Sequence, residues 1–172
     1  MSYNLLKGKR GIIFGALNDA SIAWKVAERV VEEGAQIVLT NTAVACRMGT
    51  IDELAKKTSA TIIPADATSV EDLNNLFVKA QEALGGKIDF VLHSCAMSVN
   101  MRKKRTYDDL DYGFLDKTLD ISAISFHKML QVAKKLDALN DEASVLALTY
   151  VASHRTFFGY NDMADAKSLL ES

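Results

Sequence analysis

Short runs of residues rich in Ile and Val alternate along this chain with longer amphipathic stretches. The short runs show little polar alternation, which is typical of strands that are buried on both faces of a sheet. We predict strands at 11–14, 36–40, 61–63, 88–93 and 144–149. Apolar residues recur at helical spacing between them and predict helices at 22–33, 51–58, 70–84 and 119–139. This alternation predicts a doubly wound α/β fold, with a parallel sheet between two layers of helices.

The composition narrows the class of protein. The 172 residues are 49% apolar and carry a formal net charge of −2, so we expect one domain over 1–172 and no general nucleic-acid binding. Two cysteines are too few for a disulfide framework or a four-cysteine zinc site, and the three histidines lack metal-ligand spacing. No apolar run approaches about 18 residues and the first residues lack a signal-peptide core, so we expect a cytoplasmic protein without a membrane segment.

The first predicted strand leads into a turn that could accept a phosphate. Gly15 lies where the chain must turn, and a Cβ there would obstruct a close approach of pyrophosphate to the backbone. Ser21 is a good N-cap for the helix that begins at Ile22, and a helix N-terminus attracts anions. The turn is not G-x-G-x-x-G, so an ordinary strand–turn–helix with a capping serine is an equal alternative.

The ends of the next two strands give weaker signals. The second ends in Thr40-Asn41-Thr42 with no acid, and Arg47 follows a few residues later, so the sequence does not choose between NADH and NADPH. Asp66-Ala67 after the third strand predicts an adenine contact, with a surface turn that caps the following helix as the alternative.

Tyr160 and Lys167 follow the fifth strand and are seven residues apart. On a helix they would share one face, about 10 Å apart along the axis. A cation near a phenol lowers its pKa, and lysine can also hold sugar hydroxyls. The pair is therefore a candidate for binding one ribose and for acid chemistry.

Four segments together resemble the enoyl-acyl-carrier-protein reductases, a divergent branch of the short-chain dehydrogenase/reductases. They are Gly15-x5-Ser21-Ile22-Ala23, His93-Ser94, Asp120-Ile121-Ser122 and Tyr150-x9-Tyr160-x6-Lys167. The resemblance covers essentially the whole chain. The two spaced tyrosines distinguish this branch from ordinary short-chain dehydrogenases, which usually have a serine upstream of the catalytic tyrosine.

The resemblance implies a reaction in fatty acid biosynthesis, in which NADH or NADPH reduces a trans-2-enoyl thioester carried by acyl carrier protein. Tyr160 would hydrogen-bond the thioester oxygen as the enolate develops, Lys167 would hold the nicotinamide ribose, and Tyr150 would position the substrate or relay a proton. Ser98 lies where the family meets the acyl substrate. The positions that match dinucleotide contacts are Gly15, Leu17, Ser21, Ile22, Thr42, Asp66, Ala67, Ser94, Cys95, Ala96 and Lys167.

The chain departs from the family pattern at three points. Ala96 stands where glycine is usual, and its methyl group would crowd the backbone beside the nicotinamide. Thr42 replaces a polar or basic side chain at the cofactor-selecting position. Complete relatives continue through two more strands and a helical lid, so we interpret the chain as a partial reductase domain that contains the catalytic half. The resemblance also implies a homotetramer.

Two other functions remain open. One is a catalytically silent nucleotide-binding remnant, and the other is a short-chain dehydrogenase that acts on an alcohol or ketone. The basic run from Arg102 to Arg105 is followed by Asp108, Asp109 and Asp111 and is interpreted as a solvated loop, or else as a surface that faces the acidic carrier protein. Cys95 is interpreted as a small buried residue rather than a nucleophile, because no histidine is placed to activate it.

Overall fold

A computed structural model describes residues 2–172 of the protein. Its five strands form one parallel sheet in the order β3-β2-β1-β4-β5. The strands are β1 (Arg10–Phe14), β2 (Gln36–Thr40), β3 (Thr61–Ile62), β4 (Ile88–His93) and β5 (Leu139–Ala147). The predicted doubly wound α/β class is confirmed.

In the part of the chain that the structure describes, eight α-helices connect and flank these strands. They are α1 (Ile22–Glu32), α2 (Ala43–Met48), α3 (Ile51–Thr58), α4 (Val70–Leu84), α5 (Val99–Arg102), α6 (Tyr112–Leu119), α7 (Ser125–Lys135) and α8 (Asn161–Glu171). A π-helical turn over Asp120–Ile124 joins α6 to α7. Within residues 2–172, no helix combines the length and apolar character needed to cross a bilayer.

Adjacent residues of β1 pack into two separate hydrophobic cores, one on each face of the sheet. Ile12 packs with Leu76 and Met129 under α4 and α7, whereas Ile13 packs with Trp24 and Leu54 under α1 and α3. This alternation follows from the pleat, which sends successive side chains to opposite faces. Both faces of β1 are therefore covered by helices, as its unbroken apolar run predicts.

The fifth strand was predicted too short at its start. It begins at Leu139 rather than at Ser144 and ends at Ala147 rather than at Thr149. Asp141 and Glu142 near its start are exposed, because they lie between Leu139 and Ser144, where the pairing with β4 is irregular.

The predicted helix over 119–139 was also wrong at both ends. The helical segment begins at Tyr112, where the Asp111 side chain accepts a hydrogen bond of 3.1 Å from the backbone N–H of Phe114. Its last helix, α7, ends at Lys135. The apolar stripe itself is confirmed, since Met129 and Ala133 are fully buried in the core under the sheet.

Candidate functional site

The strand order places one crevice at the carboxyl ends of β1 and β4. The chain runs from β1 outward to β3 and then returns to place β4 on the other side of β1. Ligands of open α/β sheets bind at such a reversal of strand order. Gly15 follows β1 and Ser94 follows β4 at this point.

Gly15 is required by its neighbour on β4. Its φ is +87°, and a Cβ built on it would lie 2.0 Å from the carbonyl oxygen of Ser94. Its place after the first strand predicts that this glycine permits the approach of a phosphate. The structure gives a reason that needs no ligand, because the two strand ends touch each other there.

The turn before α1 leaves the helix N-terminus without a side-chain cap. Helix α1 begins at Ile22 as predicted, but the Ser21 hydroxyl makes no hydrogen bond to the first turn. It turns back and accepts hydrogen bonds from the backbone N–H groups of Leu17 and Asn18, at 3.2 and 3.1 Å. The predicted capping role of Ser21 was wrong. An uncapped first turn keeps its N–H groups available to an anion.

The predicted contacts after β2 and β3 have other partners. The Thr42 hydroxyl caps α2 by accepting a hydrogen bond from the N–H of Ala45, at 3.2 Å. The Asp66 carboxylate accepts hydrogen bonds from the backbone and the hydroxyl of Thr68, at 2.8 and 2.7 Å. Ala67 is buried in the core. Cofactor contacts at Thr42, Asp66 and Ala67 remain predictions.

The turn alternative at Asp66 describes the local geometry well. The backbone N–H of Asp66 donates to the Asp72 carboxylate at 2.8 Å, and the N–H of Asp72 donates to the Ser69 hydroxyl at 3.1 Å. Ser69 thus caps the first turn of α4, whereas the Asp72 carboxylate bonds to the backbone of Asp66 and not to that of Ser69.

A pocket of about 400 Å³ opens at the carboxyl ends of β4 and β5. Eight of the predicted site residues line it: Ile22, Ser94, Cys95, Ala96, Ser98, Tyr150, Tyr160 and Lys167. Gly15, Leu17, Ser21, Thr42, Asp66 and Ala67 lie outside its lining. The structure thus brings the predicted nicotinamide-side and substrate-side residues together in one cavity.

The sequence analysis missed six residues of this pocket. They are Met97, Met101, Arg102, Leu148, Thr149 and Met163. Leu148 and Thr149 directly precede Tyr150, and Met163 follows Tyr160 by one helical turn, so position in the chain could have indicated these three. The methionines add flexible apolar surface to the pocket.

Tyr150 and Tyr160 lie side by side. Their ring centroids are 5.4 Å apart with an interplanar angle of 46°. The Tyr150 hydroxyl is buried and has no hydrogen-bond partner among residues 2–172. Burial raises the pKa of Tyr150 to about 12, with smaller contributions from Tyr160 and Asp162. Tyr150 therefore offers a neutral, unused hydrogen-bond donor to the pocket, since an unpaired buried hydroxyl is costly unless a ligand completes it.

Lys167 lines the same pocket and is 5% exposed. Its Nζ atom donates hydrogen bonds to the carbonyl oxygens of Leu148 at 2.7 Å and Cys95 at 3.4 Å. Burial lowers the pKa of Lys167, and the Cys95 thiol opposes this shift. An ammonium group has three donors, so one remains for a ligand. Tyr160 immediately precedes α8 rather than lying within it, and both side chains still reach the same pocket.

Neither Cys95 nor His93 is placed to act as a nucleophile or base. Burial raises the pKa of the Cys95 thiol to about 12, which agrees with the interpretation of this residue as structural. Burial, and secondarily the charge of Lys167, lowers the pKa of His93 to about 4. The His93 Nε2 atom lies 2.9 Å from the Ser125 hydroxyl. Within residues 2–172, no group of three or more His, Cys, Asp or Glu side chains could hold a metal ion.

Ser98 is not free to bind a substrate with its hydroxyl. That hydroxyl donates to the Asp162 carboxylate at 2.7 Å and accepts a hydrogen bond from the N–H of Met101 at 3.0 Å. Ser98 is 4% exposed. Its observed role is to hold the loop that forms one wall of the pocket, and a direct polar contact with substrate remains a prediction.

The basic run after β4 is partly neutralised. The Arg105 guanidinium forms an ion pair of 3.0 Å with Asp109, and the Lys103 ammonium lies 4.8 Å from the centroid of the Phe114 ring. Arg102 is exposed and lines the pocket. The run is therefore a solvated loop in which one arginine reaches the candidate site.

Comparison with known proteins gives a consistent result. A family model described as enoyl-(acyl carrier protein) reductase matches residues 15–172. The chain is 33% identical to a protein of Rickettsia bellii named enoyl-[acyl-carrier-protein] reductase (NADH) FabI. It is 36% identical to a protein of Rhizobium meliloti named enoyl-[acyl-carrier-protein] reductase (NADH) 1. These alignments cover 100% and 98% of this chain but only 64% and 61% of the two relatives. The chain thus spans less than two thirds of the length of these relatives.

Solved structures show the same likeness. The crystal structure of FabI from Alistipes finegoldii is 70% identical in sequence, with a TM-score of 0.96 over 99% of this chain and 65% of that protein. A FabI–NADH complex from the same organism also has a TM-score of 0.96, over 98% of this chain and 60% of that protein. At 29% identity, the reductase of Anaplasma phagocytophilum in complex with NAD has a TM-score of 0.88.

Proposed function

This chain belongs to the enoyl-(acyl carrier protein) reductase family, and from that premise we propose that the protein reduces trans-2-enoyl thioesters to saturated acyl thioesters with NADH. The observation that carries the proposal is the unpaired buried hydroxyl of Tyr150, whose ring lies beside that of Tyr160 in a pocket that Lys167 also lines. A buried phenol without a partner is suited to donate a hydrogen bond to a ligand oxygen.

NADH fits the residues that are present. The uncapped N-terminus of α1 offers backbone N–H groups to pyrophosphate, at the crevice where dinucleotides bind in this type of sheet. Ile22 at the start of α1 and Lys167 line the same pocket, so a cofactor whose phosphates lie on the helix would place its ribose within reach of Lys167. The NADH complex of the Alistipes finegoldii protein supports this choice over NADPH.

The reaction places negative charge on the thioester oxygen. When bound, NADH supplies a hydride for the β-carbon of the enoyl group. Tyr160 donates a hydrogen bond to the oxygen as the enolate forms, and a proton taken up at the α-carbon completes the saturated product. Tyr150 supplies a second donor or positions the thioester. Its raised pKa keeps this hydroxyl protonated throughout the neutral range.

Lys167 has two tasks in this account. Two of its N–H groups bond to the ends of β4 and β5 and so fix the ammonium in place. The third donates to a ribose hydroxyl of the cofactor. The positive charge also favours the developing enolate, and this effect is enlarged because Lys167 is only 5% exposed.

The apolar part of the pocket suits an acyl chain. Met97, Met101 and Met163 line it together with the two tyrosines and Lys167. Their flexible side chains can adapt to chains of different length. Acyl carrier protein would deliver the thioester, with the exposed Arg102 at the pocket facing this acidic partner.

The assembly remains a prediction from the resemblance, and the cellular location remains a prediction from the apolar pattern of the sequence. We expect a homotetramer, which light scattering of the purified protein tests. We expect the protein in the cytoplasm, which fractionation tests. A single dinucleotide-binding domain over 1–172 is expected to unfold in one transition.

The test is turnover of crotonyl thioester by the protein expressed from its complete reading frame. Loss of NADH absorbance with formation of one equivalent of butyryl thioester supports the proposal. A panel of simple ketones and aldehydes is the control, because activity on these alone would support a carbonyl reductase. NADH binding without turnover of any substrate would support the silent remnant instead.

A further inference from the structure

A fully buried carboxylate lies one turn from the candidate site. Asp162, in the first turn of α8, has no exposed surface. It accepts hydrogen bonds from the Ser98 hydroxyl at 2.7 Å, the Asn100 amide at 2.9 Å and the Thr118 hydroxyl at 2.9 Å. Within residues 2–172 it has no salt-bridge partner. Its charge is therefore stabilised by these donors and by the N-terminus of its own helix.

The three donors come from two other segments. Ser98 and Asn100 belong to the start of α5, and Thr118 belongs to α6. Asn100 is itself fixed, because its side chain bonds to both the carbonyl oxygen and the N–H of Asp111, each at 3.1 Å. The Asp162 carboxylate is thus the point at which α5, α6 and α8 are joined.

The joined segments carry two walls of the pocket. Ser98 and Met101 line the pocket from the α5 side, whereas Tyr160 and Met163 line it from the α8 side. Asn161 adds a parallel link, since its side chain donates to the carbonyl oxygen of Arg105 at 2.9 Å. The position of the Tyr160 phenol relative to the opposite wall therefore depends on bonds made by its neighbours in sequence.

Burying a carboxylate without a cationic partner costs desolvation free energy, so it is not an efficient means of joining helices. Apolar packing of the same volume would stabilise the fold at lower cost. Charged hydrogen bonds, however, fix the direction as well as the distance between the groups that they join. Buried polar groups that do not improve stability are found mostly at functional sites.

We infer that Asp162 is a positioning residue of the reductase site, whose hydrogen bonds to Ser98, Asn100 and Thr118 set the Tyr160 phenol against the acyl-binding wall. This inference rests on the proposed function for its catalytic consequence. The anchoring itself can be measured without turnover.

The experiment compares Asp162→Asn with Glu33→Gln in the protein expressed from its complete reading frame. Glu33 is the control, because its carboxylate is also buried and accepts hydrogen bonds from the N–H groups of Tyr3 and Leu5, at the opposite end of the sheet. Unlike Asp162, it also forms an ion pair with Arg29. Thr118→Val removes one donor from the cluster without touching α8, and it keeps the test available if Asp162→Asn does not fold.

Hydrogen exchange reads the anchoring. In Asp162→Asn, amides of residues 98–102 and 160–164 should exchange about tenfold faster, because an amide nitrogen now faces a buried donor. Thr118→Val should change the same amides less, and Glu33→Gln should leave them unchanged. Unchanged exchange in both Asp162→Asn and Thr118→Val overturns the inference.

Steady-state kinetics measure the effect of the substitution on catalysis. A misplaced phenol should lower kcat by about 10–100-fold, with the KM for NADH changed by less than about threefold. Glu33→Gln should keep kcat within about twofold. Faster exchange with wild-type kcat would contradict a positioning role. If the unmutated protein reduces no thioester, the proposed function fails while the exchange data still report on the anchoring.

Discussion

The Tyr150 and Tyr160 rings lie with their centroids 5.4 Å apart, although ten positions separate them in the chain. Tyr150 follows β5 and Tyr160 directly precedes α8, so the connection between the strand and the helix folds back to bring the phenols together. Only one of them is exposed to any large degree, since Tyr160 is 37% exposed whereas the Tyr150 hydroxyl is buried without a partner. The two phenols are therefore expected to respond differently to removal of the hydroxyl.

Tyr150→Phe should separate stability from activity. Removing an unpaired buried hydroxyl relieves its desolvation penalty, so we expect the free energy of unfolding to stay equal or to rise by about 1 kcal/mol. Turnover of crotonyl thioester should fall, because the hydroxyl is lost as a donor to the substrate. Urea unfolding and steady-state kinetics on the same preparation measure both. A clear loss of stability would show that the hydroxyl has a partner in the folded protein.

Lys167→Met should weaken NADH binding. The ammonium bonds to the Leu148 and Cys95 carbonyl oxygens and has one donor left for the ribose. A hydrogen bond from a charged donor contributes about 1.5–3 kcal/mol, so the Kd for NADH should rise by about 10–150-fold. Fluorescence titration measures this. Lys87→Met, at the opposite end of the sheet, is the control, and an equal effect of both substitutions would contradict a cofactor role for Lys167.

Gly15→Ala should destabilise the protein much more than Gly85→Ala. Both glycines have a positive φ, +87° and +71°, and an alanine pays about 1–2 kcal/mol for that backbone conformation. A Cβ at Gly85 meets no atom within 4 Å, whereas one at Gly15 would lie 2.0 Å from the Ser94 carbonyl oxygen. We expect a loss of more than about 3 kcal/mol at Gly15 in urea unfolding. Similar losses at both sites would show that the strand ends do not touch.

His93 should make the protein less stable as the pH falls. Burial first, and the Lys167 charge second, lower its pKa to about 4 in the folded state, against about 6.5 in an unfolded chain. Between pH 4 and pH 6.5, His93 is protonated in the unfolded chain and neutral in the folded protein. The free energy of unfolding should therefore fall by about 1.4 kcal/mol per pH unit below pH 6.5, by about 3 kcal/mol in total, with this contribution constant above pH 6.5.

His93→Gln isolates this contribution. The glutamine amide can keep the hydrogen bond to the Ser125 hydroxyl, which lies 2.9 Å from the His93 Nε2 atom, but it does not titrate. Between pH 4 and 6.5, the slope of the unfolding free energy against pH should be smaller in the variant by about 1.4 kcal/mol per pH unit. This difference corresponds to one proton. Identical slopes in the variant and in the unmutated protein would contradict the buried, neutral state of His93.

The sequence predicts the fold well because both faces of the central strands are buried. The apolar runs at β1, β2 and β4 indicate buried strands, and the structure has strands there. The helices α3 and α4 have the predicted bounds. The start of β5 could not be predicted in the same way, because Asp141 and Glu142 are exposed in an irregular stretch of the strand that interrupts the apolar pattern.

The site residues that could be predicted are those whose place after a strand puts them at the carboxyl edge of the sheet. Tyr150, Tyr160 and Lys167 follow the fifth strand, and the structure places all three on one pocket. The capping prediction at Ser21 failed because the hydroxyl had closer backbone donors in its own turn. Asp162 gave no signal at all, since a single aspartate near a helix start is ordinarily exposed, and its three donors come from segments 44–64 residues away.

The Tyr160→Phe variant tests the central claim most directly. It removes one oxygen atom from the pocket and leaves the aromatic contacts with Tyr150 and Phe157 available. With the protein expressed from its complete reading frame, we predict that kcat for crotonyl thioester falls by about 10²–10³-fold while the Kd for NADH stays within about twofold. A kcat within about twofold of the unmutated protein would contradict the assignment of this phenol to the thioester oxygen.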